Sequence, residues 1–376
     1  MYDLAVVGAG ILGLAHALAA AKLGLRVIVF DRDAQPNGAS VRNFGLVTIT
    51  GQDPGAIRDR ALASRTIWLD VAARAGIPVV QRGALIAAQR PEAMAVLESY
   101  ADTPEGEACS LLTPSELCDR LPQLDGSRLA GGLYSPHELR VESREAIPLL
   151  VRYLAGQGVE FRFSTMVSLV EPGTVHTVGG EIAARWIVVC SGDELTGLFA
   201  DVIASHNVKR CKLQMLRLAD PGFRLSSAIL SDLSLTRYGG FSARPEADAL
   251  RHRLQAEQAD ALANGVHLVV VQGADGTLVV GDSHHYGPTP DPFASEAVDR
   301  LILDEFSRLF GRRELPVVAR WTGTYASAPM ASFVHAPHPD IRLAMVTSGV
   351  GASTGFAIGE ETVADLLNSC SEGGTR

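Results

Sequence analysis

Short apolar runs alternate with segments of helical period along much of this chain, the pattern of buried parallel strands covered by helices. Residues 4–7 form the first run, residues 11–24 an Ala- and Leu-rich helix, and residues 27–30 a second strand closed by Asp31. Residues 56–75 and 144–156 predict further helices, followed by a strand at 158–163, a hairpin about Pro172-Gly173 and a buried strand at 186–192. From Gly83 the texture changes to short strands and loops punctuated by Pro114, Pro122 and Pro136. Residues 209–278 read as strands with polar alternation, including 212–217 and 267–272, with Asp275-Gly276 as a hairpin turn. Such a block fits a largely antiparallel sheet. A helix over 295–310, a strand over 343–347, a glycine loop over 348–356 and a last helix from Ile358 to Leu367 complete the pattern.

The most informative segment is Gly8-Ala9-Gly10-Ile11-Leu12-Gly13, set between the first strand and the first helix. Gly8 permits a tight turn, Gly10 lets backbone approach a pyrophosphate, and Gly13 lets the helix pack on the sheet with its N-terminal N–H groups toward the phosphates. Asp31 follows at the distance at which an acid reaches the ribose hydroxyls of a dinucleotide. His16, inside that helix, is expected to be a packing residue. The predicted fold class is therefore α/β, α+β overall: a Rossmann-like dinucleotide-binding domain with a parallel sheet, and an interleaved substrate domain with a largely antiparallel sheet. Residues 1–82, 140–206 and 318–376 are assigned to the first domain, and 83–139 and 207–317 to the second.

Composition narrows the class. At 376 residues the chain exceeds one simple core, and 47% apolar with 20% charged residues exclude disorder as the dominant state. A net charge of −9 argues against non-specific nucleic-acid binding. Five scattered cysteines without a CxxC suggest neither a disulfide framework nor a zinc site, and fit a reducing cytoplasm. No apolar run is long enough to span a bilayer and the chain opens on a strand, so a cytoplasmic protein without a membrane partner is expected.

The order of motifs resembles the D-amino-acid oxidase-like flavoproteins, the group of glycine oxidase and monomeric sarcosine oxidase. The resemblance rests on the first turn, Gly38-Ala39-Ser40-Val41-Arg42-Asn43-Phe44-Gly45, Thr165-Met166-Val167, Cys190-Ser191-Gly192 and the C-terminal glycine loop. It implies FAD, contacted at Gly8, Gly10, Ile11, Gly13, Asp31, Arg32, Ser40, Arg42, Asn43, Phe44, Gly45, Val167, Ser191 and Gly192. In the C-terminal loop it implies contacts from Gly349, Gly351, Ala352, Ser353, Thr354 and Gly355, whose backbone would face the pyrimidine edge of the flavin. The strings Ser40 to Gly45, Cys211 to Met215 and Gly281-Asp282-Ser283-His284 are similar to a subgroup associated with phosphonate catabolism.

The chain also departs from its resemblance. The amino-acid oxidases carry Gly-Leu-Arg-Pro, with the arginine gripping the substrate carboxylate, where this chain has Gly323-Thr324-Tyr325-Ala326. No cysteine between Tyr325 and Pro329 matches the covalent tether of sarcosine oxidase, and no lysine lies at Val279, where that enzyme assists oxygen reduction. Non-covalent FAD is expected, with oxygen or another acceptor taking the electrons. The substrate expected is a small amine bearing a phosphonate, such as 2-aminoethylphosphonate or its N-methyl derivative. The competing readings are a glycine, sarcosine or D-amino-acid oxidase, and a non-catalytic flavin-binding subunit. Catalytic candidates are His284, His285 and Tyr325, and substrate-binding candidates are Arg42, Lys212, Arg237 and Tyr238. His284 and His285 would point to opposite faces of a strand, so they are not expected to share a metal.

Overall fold

The structure is a computed structural model describing residues 1–311 and 314–372. Strands Tyr2–Val7, Val27–Phe30, Glu160–Arg162, Gly180–Val189 and Ile341–Ser348 form a five-stranded parallel sheet. Tyr2–Val7 lies at its centre, between Val27–Phe30 and Gly180–Val189. Central strands of such a sheet are covered on both faces, and Val27 to Phe30 are all buried. The helices Ile11–Lys22, Ala56–Ala75, Ser143–Gly156 and Gly351–Glu372 pack one face of this sheet, around Leu14, Leu18, Trp68, Leu150 and Phe356.

The second sheet is mostly antiparallel. Lys209–Leu218 pairs with Val317–His338 on one side and with Leu278–Gly281 and His285–Gly287 on the other. Val269–Gln272 and Ala228–Leu230 extend it to Val79–Ala88 and Gly131–Val141, with one parallel pairing, Ala228–Leu230 on Val79–Ala88. The 22-residue strand Val317–His338 bends across to pair with Ile341–Ser348, so one strand joins the two sheets.

Three local expectations differ from the fold. Residues 232–263 are not strands: four short helices occupy Asp232–Leu235, Gly239–Ser242, Ala247–Glu257 and Ala259–Ala263. In Ala247–Glu257, Ala247, Leu250 and Leu254 are buried, an i, i+3, i+7 spacing that is helical. The block after Gly83 likewise holds helices at Pro91–Ala101 and Pro114–Arg120, each opened by proline at its first position. The last helix begins at Gly351, not at Ile358, because Gly355 and Gly359 sit within it and present no side chain to the first helix. A Cβ at Gly359 would stand 2.7 Å from the Ala15 carbonyl carbon, so the usual helix cost of glycine is offset by close packing.

The polar alternation of residues 212–217 does not mark a solvated face. Lys212, Gln214 and Arg217 are all buried, each hydrogen-bonded or ion-paired inside the protein. Among the described residues Cys109, Cys118, Cys190 and Cys211 are unbridged, and no helix is long and apolar enough to cross a membrane.

A buried ion network anchors the short helices. Arg90 pairs with Asp232 at 2.7 Å and Glu257 at 2.8 Å and donates to Gln258 at 2.8 Å, while Asp232 also accepts from the Gln89 backbone N–H at 2.7 Å. Burial pushes the Asp232 carboxyl up to about 7 against the opposing pull of these donors. Removing one partner of a buried pair strands the other, at about 3–5 kcal/mol. Arg90→Ala should lower the unfolding free energy by about that amount, read as a drop in urea midpoint; a loss below about 1 kcal/mol would show the network to be dispensable.

Candidate functional site

A cavity of about 380 Å³ lies at the carboxyl ends of the parallel strands, where Val7, Phe30, Val189 and Ser348 line it. That is where open α/β sheets bind ligands. Gly8 has φ +102°, and a Cβ on it would stand 2.3 Å from the Cys190 carbonyl oxygen. At Gly13 a Cβ would stand 1.9 Å from the Gly8 oxygen, so no other residue lets the helix approach the strand. Gly10 caps the helix without any side-chain hydrogen bond, and the first turn carries no acidic residue. The positive end of the helix is therefore left to a ligand.

Side chains brace this turn from outside. Asp31 Oδ2 accepts from the Ala9 N–H at 2.8 Å and its Oδ1 from the Asp33 N–H at 2.9 Å. Ser40 Oγ accepts from the Ile11 N–H at 2.9 Å. Asn43 donates to the Ala39 carbonyl and accepts from the Gly45 N–H, both at 2.7 Å, which folds the 39–45 segment over the cavity. Asp31, Arg32, Ser40, Arg42, Asn43, Phe44, Val167, Ser191, Gly192, Gly349, Gly351 and Ala352 all line the wall, with Ile11 and the three glycines of the first turn. Ser191 Oγ is buried without a hydrogen-bond partner.

Four expected contact residues do not line the cavity. Gly45 fills a backbone crossing, where a Cβ would stand 1.8 Å from the Val141 oxygen. Ser353 Oγ accepts from the Thr48 N–H at 2.8 Å, Thr354 Oγ1 donates to the Val350 carbonyl at 3.0 Å, and Gly355 packs on Ile11 and Leu12. The helical start at Gly351 turns these last three away.

The other end of the cavity is lined by Leu213, Arg237, Tyr238, His267, Asp282, His284 and Tyr325. Arg237 donates to the Tyr325 hydroxyl at 3.0 Å and to the Tyr286 hydroxyl at 3.2 Å. Among the described residues no carboxylate lies within ion-pair distance of it. Burial disfavours its charge, but the phenols and Asp282 more than compensate, so its pKa is raised and it stays a cation. Arg237 thus brings a guanidinium beside Tyr325 from another segment, with the Tyr325 hydroxyl as its acceptor.

Asp282 is 4% exposed, with His267 Nε2 2.9 Å from Oδ1 and His284 Nε2 3.6 Å from Oδ2. Burial opposes its ionisation, yet His284, His267 and Arg237 together hold the carboxyl down at about 2. Burial lowers His284 to about 3, outweighing the pull of Asp282, so that imidazole is neutral near pH 7. Burial also raises Tyr238 to about 12 and Tyr325 further, so both phenols remain protonated.

Two expected donors point elsewhere. Lys212 gives its ammonium to the Asp291 and Phe293 carbonyls at 2.7 and 2.8 Å, because both faces of its strand are covered. His285 turns to the Asn264 side chain at 3.1 Å, on the face opposite His284. Conversely, His267 and Asp282 stand in the site although neither is an expected site residue, Asp282 entering only within the string Gly281-Asp282-Ser283-His284. Their signal is weak: His267 precedes an apolar strand, and its N–H meets the Asp282 carbonyl at 3.1 Å only through strand pairing.

Fold and cavity together define a dinucleotide-binding oxidoreductase. The chain belongs to the FAD dependent oxidoreductase family, whose model matches residues 3–365. It is 27% identical over 235 residues to a glycine oxidase of Geobacillus kaustophilus (strain HTA426), covering 58% of this chain and 62% of that protein. It is 26% identical over 238 residues to one of the chains of an opine oxidase from Rhizobium meliloti, covering 57% and 62% respectively. The matched region thus spans about three fifths of these curated relatives. The crystal structure of glycine oxidase from Geobacillus kaustophilus superposes with a TM-score of 0.78 at 22% identity, covering 98% of this chain and 94% of that one.

The residues present fit FAD: a helix start with no acidic residue in its first turn, a glycine turn open to phosphates, and an unpartnered Ser191 hydroxyl in the same wall. A Cβ at Gly10 would already press within 3.1 Å of Ser40 Oγ, which holds the Ile11 N–H. Gly10→Val should therefore purify largely without flavin, measured as FAD released per chain on denaturation. Full occupancy in that variant would place the pyrophosphate elsewhere.

Proposed function

We propose that the protein oxidises a C–N bond of a small anionic amine to an imine, which water hydrolyses to a carbonyl compound and an amine. The observation that carries this is Arg237, a half-buried guanidinium lining the cavity, whose side-chain partners among the described residues are two phenol hydroxyls. A cation held this way, with hydrogen-bonding capacity left over, suits the anionic end of a substrate. Bound FAD supplies a two-electron acceptor, and oxygen or another acceptor re-oxidises it. The protein's part is to orient the reacting C–H bond and exclude water.

For the anion, the reading is an aminophosphonate. Arg42 also lines the cavity, and it too has no ion-pair partner among the described residues. Two guanidinium groups suit a phosphonate, which has three acceptor oxygens and more than one negative charge near neutral pH, better than a carboxylate. The likeness to a glycine oxidase favours the carboxylate alternative, and Arg237 is able to serve it. A flavin-binding chain that needs a partner chain is the third reading, favoured by the likeness to one component of an opine oxidase.

Anaerobic mixing with 2-aminoethylphosphonate, its N-methyl derivative, glycine and sarcosine separates the three. Bleaching of the flavin by the phosphonates with higher kcat/KM supports the proposal, preference for glycine or sarcosine supports the alternative, and no bleaching by any amine supports the partner-dependent reading. In the active case, Arg237→Met should cost about 2–5 kcal/mol in kcat/KM, roughly 30-fold to several thousand-fold. An unchanged kcat/KM would remove Arg237 from the substrate site.

FAD should be non-covalent. Cys211, opposite Tyr325 in the sheet, is fully buried, and burial raises its thiol to about 11. Acid precipitation should leave the yellow colour in solution; colour retained in the pellet would contradict this.

A further inference from the structure

His267, Asp282 and His284 bring one ligand atom each to within 4.8 Å of one another, and all three are at least nine-tenths buried. From this we infer that they form a binding site for a first-row divalent cation at the substrate end of the cavity. The inference is independent of the amine-oxidation reading, since it concerns coordination and not turnover.

Hydrogen placement carries the argument. His284 Nδ1 lies 2.9 Å from the Gly265 carbonyl oxygen, a pure acceptor, so Nδ1 holds the ring proton and Nε2 is a bare lone pair. Ser234 Oγ lies 3.2 Å from His267 Nδ1 and 3.3 Å from the Leu268 carbonyl oxygen, so its hydroxyl can turn to donate to Leu268 and accept from Nδ1 when a cation occupies Nε2. Without a cation, His267 Nε2 shares a proton with Asp282; a cation would displace that proton and take the lone pair. Both Nε2 atoms face one carboxylate, at 2.9 and 3.6 Å. A divalent cation in place of the single shared proton would take an electron pair from each of the three groups.

The surroundings match those of metal-binding histidines, which pass their second ring N–H to a carbonyl or other oxygen and are thereby fixed in tautomer and orientation. Gly265, at φ +58°, closes to where a Cβ would meet the His284 Cβ at 2.9 Å, so its carbonyl reaches the ring. Two imidazoles and a carboxylate without a thiolate suit Zn²⁺, Co²⁺, Ni²⁺, Fe²⁺ or Mn²⁺, and exclude the soft Cu⁺. All three residues line the cavity, which leaves the remaining coordination position to water or to an oxyanion ligand.

The test uses flavin-loaded protein without a histidine tag, stripped with a chelator and titrated with Zn²⁺ by calorimetry, with bound metal counted by mass spectrometry. One Zn²⁺ per chain is expected, with affinity at least 100-fold weaker in Asp282→Asn. Ser234→Ala, which keeps all three ligands and removes only the acceptor behind His267, should weaken binding by about 10- to 100-fold. Should Asp282→Asn fail to fold, Ser234→Ala and the wild-type stoichiometry decide alone. Absence of saturable binding in wild type, or affinity unchanged in the folded variants, overturns the inference and leaves the cluster as a proton-bridged ion pair.

Discussion

The structure depends on how closely the first helix can lie on the first strand. Gly13 permits this, since any side chain there would occupy the space of the Gly8 carbonyl. The approach aims the helix start at the carboxyl edge of the sheet. It also leaves room for the C-terminal helix, whose Gly359 lies against the Ala15 backbone and whose Gly355 lies over Ile11 and Leu12. The two helices lend their starts to one cavity, and neither first turn carries an acidic residue. Backbone geometry thus builds the dinucleotide end with few charged side chains.

The opposite end is built the other way, from buried charge. Taking Asp282 out of water costs several kcal/mol in a protein interior, and half-burying Arg237 adds to it. The cost is offset by the His267 imidazole on the carboxylate and two phenols about the guanidinium. His267, Asp282 and His284 flank strands of the second sheet, Tyr286 and Tyr325 lie on its strands, and Arg237 follows Asp232–Leu235, which the Arg90 network holds in place. Stability and the candidate site are therefore coupled through Asp232, only five residues before Arg237.

Where the sequence misled, the cause was local pattern without its partner. Lys212 and Gln214 have the alternation of a strand with one wet face, but the strand is covered on both sides: Lys212 meets two carbonyls of the 291–293 loop and Gln214 meets Asp299. Tyr325 in place of an arginine suggested a missing cation, yet a cation reaches it from Arg237, 88 residues away. A single chain position does not reveal which distant side chain fills the space beside it.

What the sequence determined by itself is whatever neighbours in the chain decide: the strand, glycine turn, helix and terminal acid of residues 4–31, which mark a dinucleotide site, while the FAD-dependent class follows from likeness along the whole chain. Those features depend on backbone freedom and on spacings of a few residues, which a linear reading captures. The tertiary structure alone decided that His284 and not His285 enters the cavity, and that His267, Asp282, Arg237 and Tyr325 meet there. That meeting is set by strand register, since shifting a strand by one residue sends every side chain to the opposite face.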